Sequence, residues 1–257
     1  MTGLLAAEWI KIRSLRSTIW MLALTVAVST GLAYLAGSSF RAGFDGMTAA
    51  ERASFDPLFA TFYSLTLGQL ALVVLAAFVV TGEYSTGTIS TSLMAVPSRG
   101  RFFAGKVLAG GLVAGAVALV TVPLTFAAAQ AGLGPHGTTF TAAGTPEAAL
   151  GACLYLTLIY LFATGVATLL RGSIPTLAVL LPLLFLGSQG LGNVPRVKAV
   201  AQYLPDQAGM VVMHLTGPAG DARFGRPYGP WLGLGIMALW TAVALLAGYF
   251  ALRRRDA

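Results

Sequence analysis

Six stretches of the chain, 18–37, 59–81, 107–131, 147–170, 174–191 and 230–252, contain no Asp, Glu, Lys, Arg or His apart from Glu147 at the edge of the fourth. A helix needs about 20 apolar residues to cross a hydrocarbon layer of about 30 Å. Within that layer only a helix or a closed barrel can satisfy its own backbone donors and acceptors. The pattern therefore predicts an all-α polytopic membrane protein with six transmembrane helices, residues 1–257 forming a single transmembrane domain. Charged residues make up 10% of the chain, against about 25% in an ordinary soluble domain.

The polar intervals carry the topology. Residues 4–16 place Leu5, Trp9 and Ile12 on one helical face, with Lys11 and Ser14 away from it. This fits a helix in the membrane interface, Trp9 at headgroup depth and Arg16 snorkelling. A signal peptide has a similar charged start, but the apolar run that follows is long enough for a span and further spans succeed it, so an uncleaved anchor is expected. In the 38–58 loop, Thr48 followed by Glu51 reads as a capping box. In the last polar interval, 192–229, Asp206 reads as the cap of a short helix over 207–216.

Six spans put both termini on one side. That side then holds ten basic residues: Lys11, Arg13, Arg16, Arg99, Arg101, Lys106, Arg171 and Arg253 to Arg255. Arg41, Arg52, Arg196, Lys198, Arg223 and Arg226 make six on the other. The positive-inside rule then makes the termini cytoplasmic. The net charge of +7 lies in short clusters beside apolar runs, which suits membrane orientation and not nucleic-acid binding.

The most unusual interval is 82–106, GEYSTGTISTSLMAVPSRGRFFAGK. Its hydroxyl side chains exclude a lipid-facing helix, while Ile89, Leu93 and Met94 recur on roughly one face. A short amphipathic helix outside the hydrocarbon is expected, stopped by Pro97. Glu83 is either a functional contact or a polar stop after Thr81 and Gly82. Arg99, Arg101 and Lys106 read first as orientation signals.

Catalytic patterns fail on inspection. Gly100 to Lys106 has the GxxxxGK spacing of a phosphate loop, but Val107 stands where the magnesium-binding hydroxyl belongs and no strand precedes it. Gly233 and Gly235 imitate a dinucleotide fingerprint inside an apolar run. Gly111 and Gly115 have the spacing of a helix-packing pair. His136, His214 and the single Cys153 have no metal-ligand spacing around them. The apolar runs contain none of the ionisable residues that an intramembrane enzyme or a proton-coupled carrier uses. No catalytic residue, cofactor or metal is expected, and the domain needs an energised partner.

EWIKIRSLRSTIW near the start and GEYSTGTI followed by VPSR and GK, together with the six-span layout, resemble the permease subunits of type 2 ABC transporters. The resemblance covers essentially the whole chain. It implies an exporter in the cell membrane, assembled from two such permeases, as homodimer or heterodimer, and separate ABC ATPase subunits, in contact with membrane lipid. Leu5 to Arg16, with Trp9 and Ile12, would be the interfacial connecting helix. Glu83 to Met94 would be the coupling helix that docks in the ATPase through Glu83, Ile89, Leu93 and Met94, with Arg99 and Arg101 beside it. Short helices in 192–229 would close the outer mouth. The cargo could be drug-like, lipid-like or a peptide. A scaffold subunit that never transports, or a secondary carrier, is the alternative.

Overall fold

The computed structural model describes residues 9–11, 16–96, 98–188, 191–217, 221 and 223–254. The structure is 83% helical, with no strand among the described residues. In chain order the helices are α1 (Arg16–Gly43), α2 (Ala49–Ala53), α3 (Pro57–Phe62), α4 (Leu65–Ser85), α5 (Thr88–Ala95), α6 (Arg99–Leu133), α7 (Thr145–Leu170), α8 (Ser173–Ser188), α9 (Lys198–Ala201), α10 (Pro205–Gly209) and α11 (Pro230–Arg254). Residues 9–11 are helical. Most of the proposed interfacial helix, including Leu5 and Ile12, lies outside the described residues, as does Pro97.

Among the described residues, five units are long and apolar enough to cross a membrane: α1, α3 with α4, α6, α7 and α11. The fifth apolar run forms α8, which has 16 residues and so spans only about 24 Å at 1.5 Å per residue. Several boundaries extend past the apolar runs. Helix α6 begins eight residues earlier than expected because Ser98 caps it, its side chain accepting from Arg101 N. The second run is broken near its start, where Asp56 caps α3 by accepting from Leu58 N at 2.8 Å. Thr48 and Glu51 form the capping box as read, Thr48 N donating to Glu51 Oε2 at 2.8 Å. These hydrogen bonds hold the Glu51 carboxyl below its usual range.

Helices α4 and α7 make the centre of the bundle. Phe62, Leu72, Leu156, Ile159, Leu184 and Met237 are fully buried around them. Tyr155 of α7 donates its hydroxyl to Gln69 Oε1 of α4, and Gln69 Nε2 donates to Thr66 O at 3.0 Å, so both buried polar side chains are satisfied. The closest helix contacts rest on glycines other than Gly111 and Gly115, which meet only the side chains of Leu161 and Thr157. Helix α1 lies on α6 where a Cβ on Gly132 would fall 2.5 Å from Tyr34 O, and α7 lies on α11 where one on Gly165 would fall 2.5 Å from Ala244 C. Lipid offers no hydrophobic force between helices, so such close backbone packing is the main attraction available.

The last polar segment departs from its sequence reading. Asp206 does not cap a helix over 207–216: Leu204 is the N-cap, Pro205 the first helical residue, and α10 passes into a 3₁₀ turn at Met210–Met213. His214 then ends the turn with a left-handed backbone at φ 59°. Tertiary packing overrides the local cap, since all five α10 residues are buried.

If backbone contact holds α1 to α6, Gly132→Leu should lower the thermal unfolding midpoint of the purified protein by several degrees, an overpacking cost of about 1–3 kcal/mol. Gly235→Leu is the control, because a Cβ there meets nothing within 4 Å. Equal midpoints for the two variants would remove the contact from the account.

Candidate functional site

Helix α5 is set off from α4 by a sharp turn. Thr86 ends α4, and Gly87 adopts the left-handed region at φ 69°, which a side chain would strain. Its eight residues, Thr88–Ala95, then lie across the end of the bundle. Ile89 is buried among Phe102 and Phe103 of α6 and Leu252 of α11, and Leu93, half-buried, joins the same cluster with Val96 and Tyr249. Ser90, Thr91 and Ala95 are exposed, and Met94 is 74% exposed. The three apolar residues expected on one face therefore divide: Ile89 and Leu93 anchor the helix to its own domain, and Met94 faces outward.

Glu83 belongs to the last turn of α4 and not to the short helix, so the expected coupling helix of Glu83 to Met94 is two elements with a turn between them. Its carboxylate is buried and pairs through Oε1 with two lysines, Lys106 Nζ of α6 and Lys11 Nζ, each at 2.9 Å. Both ammonium groups also lie over the Phe102 ring, at 5.5 and 5.9 Å from its centroid, a favourable placement for a cation. Lys106 is itself buried. One carboxylate thus ties the stretch around Lys11 to α4 and α6.

Two arginines close the same end of α11. Arg99 donates to Leu252 O at 2.6 Å and to Arg253 O at 3.2 Å, and Arg171 donates to Ala251 O at 3.0 Å. The last carbonyls of a helix lack intrahelical partners and carry its negative pole, so cationic donors suit them. Arg171 reaches them from the left-handed residue that ends α7, φ 60°, with its guanidinium 5.3 Å from the Tyr84 ring centroid.

Arg101 is exposed, as is Arg16 at the start of α1, and Trp9 is 54% exposed. Sequence reasoning picked out Glu83, Arg99 and Lys106 but not the pairing of Glu83 with the two lysines or the carbonyls that Arg99 meets. Lys11 is 72 residues from Glu83, beyond any helical spacing. Arg171 carried no signal beyond its place among the ten basic residues counted on the side of the termini.

The sequence matches a family model described as ABC-2 family transporter protein over residues 4–187. The chain belongs to the ABC-2 transporter family. It is a multi-pass ABC-2 permease; the ABC-2 permease family is a membrane transport component, not itself catalytic, and implies an ABC ATPase partner. No curated protein matches the sequence. The matched region takes in α5, Glu83, Lys11, Lys106 and Arg171, whereas α10, α11 and the segment between them lie beyond it. The phosphate-loop imitation at Gly100 to Lys106 is helical throughout, so its backbone is laid out for helix bonding and not for a phosphate cradle, and Lys106 faces Glu83.

Removing one member of a buried ion pair leaves the other charge without compensation, at a cost of about 3–5 kcal/mol. Glu83→Gln should therefore destabilise the permease strongly, and Lys106→Met added to it should recover a large part of the loss. Urea or thermal unfolding of the two single variants and the double variant measures this coupling. Strictly additive losses would show that the two charges do not act as a pair.

Proposed function

We propose that this permease is the membrane subunit of an ATP-driven exporter, and that α5 is the contact through which the ATPase moves its helices. In this reading six helices cross the membrane, α8 being the short one, and the termini lie in the cytoplasm. Two permeases, identical or related, form the path, and the cargo is an apolar or amphipathic molecule.

The observation that carries the reading is how α5 is mounted. An eight-residue helix outside the long apolar units is fixed by Ile89 and Leu93 to the ends of α6 and α11, while Met94, Thr91 and Ser90 face away. A partner that presses on the outward face presses on a body already bolted to two long helices. ATP-driven closure of the ATPases would then be delivered as a displacement of helix ends, which is how domain motions bias a bundle between two packings. Glu83, Arg99 and Arg171 support this by holding α4, α6, α7 and α11 together at that end. Basic residues dominate the same end, which supports its cytoplasmic placement.

The test uses the outward residue, because a charge at Leu93 would also disturb the permease's own packing. Met94→Asp should reduce co-purification of the ATPase and its stimulated turnover by roughly tenfold or more, as loss of an apolar anchor in an interface does. Membrane abundance should not change. Full assembly and stimulation with Met94→Asp would transfer the docking role elsewhere and favour the scaffold or carrier reading. Orientation is tested separately: with Cys153→Ala as background, Thr139→Cys should react with an impermeant thiol reagent on intact cells and Ser90→Cys should not. The opposite order would invert the topology.

A further inference from the structure

Asp206 comes from a polar interval of the sequence but is buried in the helix bundle. It belongs to α10, between the last two apolar helices of the chain, yet is 0% exposed. Its Oδ2 lies against Gly187 of α8, where a Cβ would fall within 1.8 Å. Tyr155 of α7 and Met237 of α11 border Gly209, three residues on, so the short helix is inserted among α7, α8 and α11.

Gln207 Nε2 donates to Asp206 Oδ2 at 3.0 Å and to Gly187 O at 2.7 Å, and Gln207 Oε1 accepts from Arg226 at 3.1 Å. Arg226, 8% exposed, spends its other terminal nitrogen on Phe224 O and Gly225 O at 3.2 and 3.3 Å. Two buried atoms are left without a hydrogen-bond partner, Asp206 Oδ1 and Arg226 Nε. The carboxylate and the guanidinium are thus opposite charges held apart by one amide, each with an unused polar atom.

The titratable groups that face Asp206 are Tyr155 from α7 and Arg226 and Tyr228 from the chain before α11. Helix α8 has none in its sequence, and those of α11 lie in its far turns, from Tyr249 onward. Burial raises the Asp206 carboxyl to about 6, while the Gln207 hydrogen bonds and the Arg226 charge restrain it. Arg226 also lines a cleft of about 980 Å³ whose walls include Phe55, Phe59, Tyr63 and Tyr228.

We propose that Asp206 is a proton-binding site of this permease, taking up a proton on its unpartnered Oδ1 from the cleft side and thereby deciding whether Arg226 stays locked in the bundle. The proton comes from a hydronium ion of the solvent: one of its O–H bonds breaks as an O–H bond forms on the carboxylate, and a water molecule is left. With Asp206 ionised, the buried pair is neutral overall and Gln207 bridges it. With Asp206 protonated, Arg226 is a buried cation whose counter-charge has gone, and desolvation drives it toward the cleft it already borders. The segment that carries Arg226 then loosens from α8 and α10. The site depends neither on the direction of transport nor on ATPase docking.

The sign of the linkage is definite. The folded carboxyl binds its proton more tightly than the unfolded one, about 6 against the ordinary 3.8. Stability contributed by this group is therefore greatest when it is protonated, and falls as pH rises through that window.

The experiment is an infrared titration of buried carboxyl absorption in the purified permease alone, in lipid nanodiscs, with thermal unfolding at each pH. Wild type should show a band appearing with a midpoint near about 6, and its unfolding temperature should rise as pH is lowered through that value. Asp206→Asn should lose the band and that rise, and Asp221→Asn, at an exposed carboxylate, should keep both. Arg226→Gln removes the charge that restrains the carboxyl, so the midpoint should move upward, a shift that a purely packing role for Arg226 would not produce. A band that survives Asp206→Asn, a wild-type midpoint in the ordinary carboxylate range, or a midpoint unmoved by Arg226→Gln would each overturn the proposal. Should Asp206→Asn fail to fold, the wild-type midpoint and its displacement in Arg226→Gln decide the matter.

Discussion

A backbone in hydrocarbon has no solvent to bond with, and every other feature of this permease follows from that constraint. It forces the apolar runs into helices, removes the hydrophobic effect as the force between them, and leaves close contact to hold them together. Glycines at 37, 132, 165 and 248 sit where backbones touch, so that neighbouring helices meet almost without intervening side chains. Most charge is then confined to the two ends of the bundle. Each end uses it differently: one gathers cations onto Glu83 and the last carbonyls of α11, the other buries a separated acid and base.

Much of the architecture is legible because its cause is local. A run without ionisable residues is a helix wherever it occurs, and Thr48 with Glu51 specifies a cap through three residues of sequence. The short helix before α6 announces itself through hydroxyl and apolar residues that would be misplaced in lipid. Boundaries are less legible, because polar residues can extend a helix past the apolar run. Arg99 to Lys106 do so once Ser98 supplies a cap.

The contacts around Glu83, α5 and Asp206 are the least local. Glu83 can be singled out as an acid between apolar runs, but its pairing with Lys11 and Lys106 depends on how α4 and α6 meet. Ile89 and Leu93 show an apolar face without revealing that it turns toward their own domain. Asp206 misleads outright, since an acid after Leu204-Pro205 in a polar interval has the look of a solvent-exposed helix start. Only the folding of that interval back among α7, α8 and α11 buries it, and no pattern along the chain encodes such a return.

Helix α11 touches both ends. Leu252 sits in the cluster that receives Ile89, and Arg99 and Arg171 grip the last carbonyls of the same helix. At its start, a Cβ on Gly233 would fall 2.3 Å from Ala208 O of α10, two residues from Asp206. A helix of 25 residues is a rod of about 38 Å whose hydrogen-bond ladder resists compression along its axis. Gripped at one end and butted against α10 at the other, it cannot shed an imposed movement by fraying. A shift of α5 would arrive at Ala208 as an axial stroke, and a rearrangement around Asp206 would travel back along the same rod to the end that carries α5.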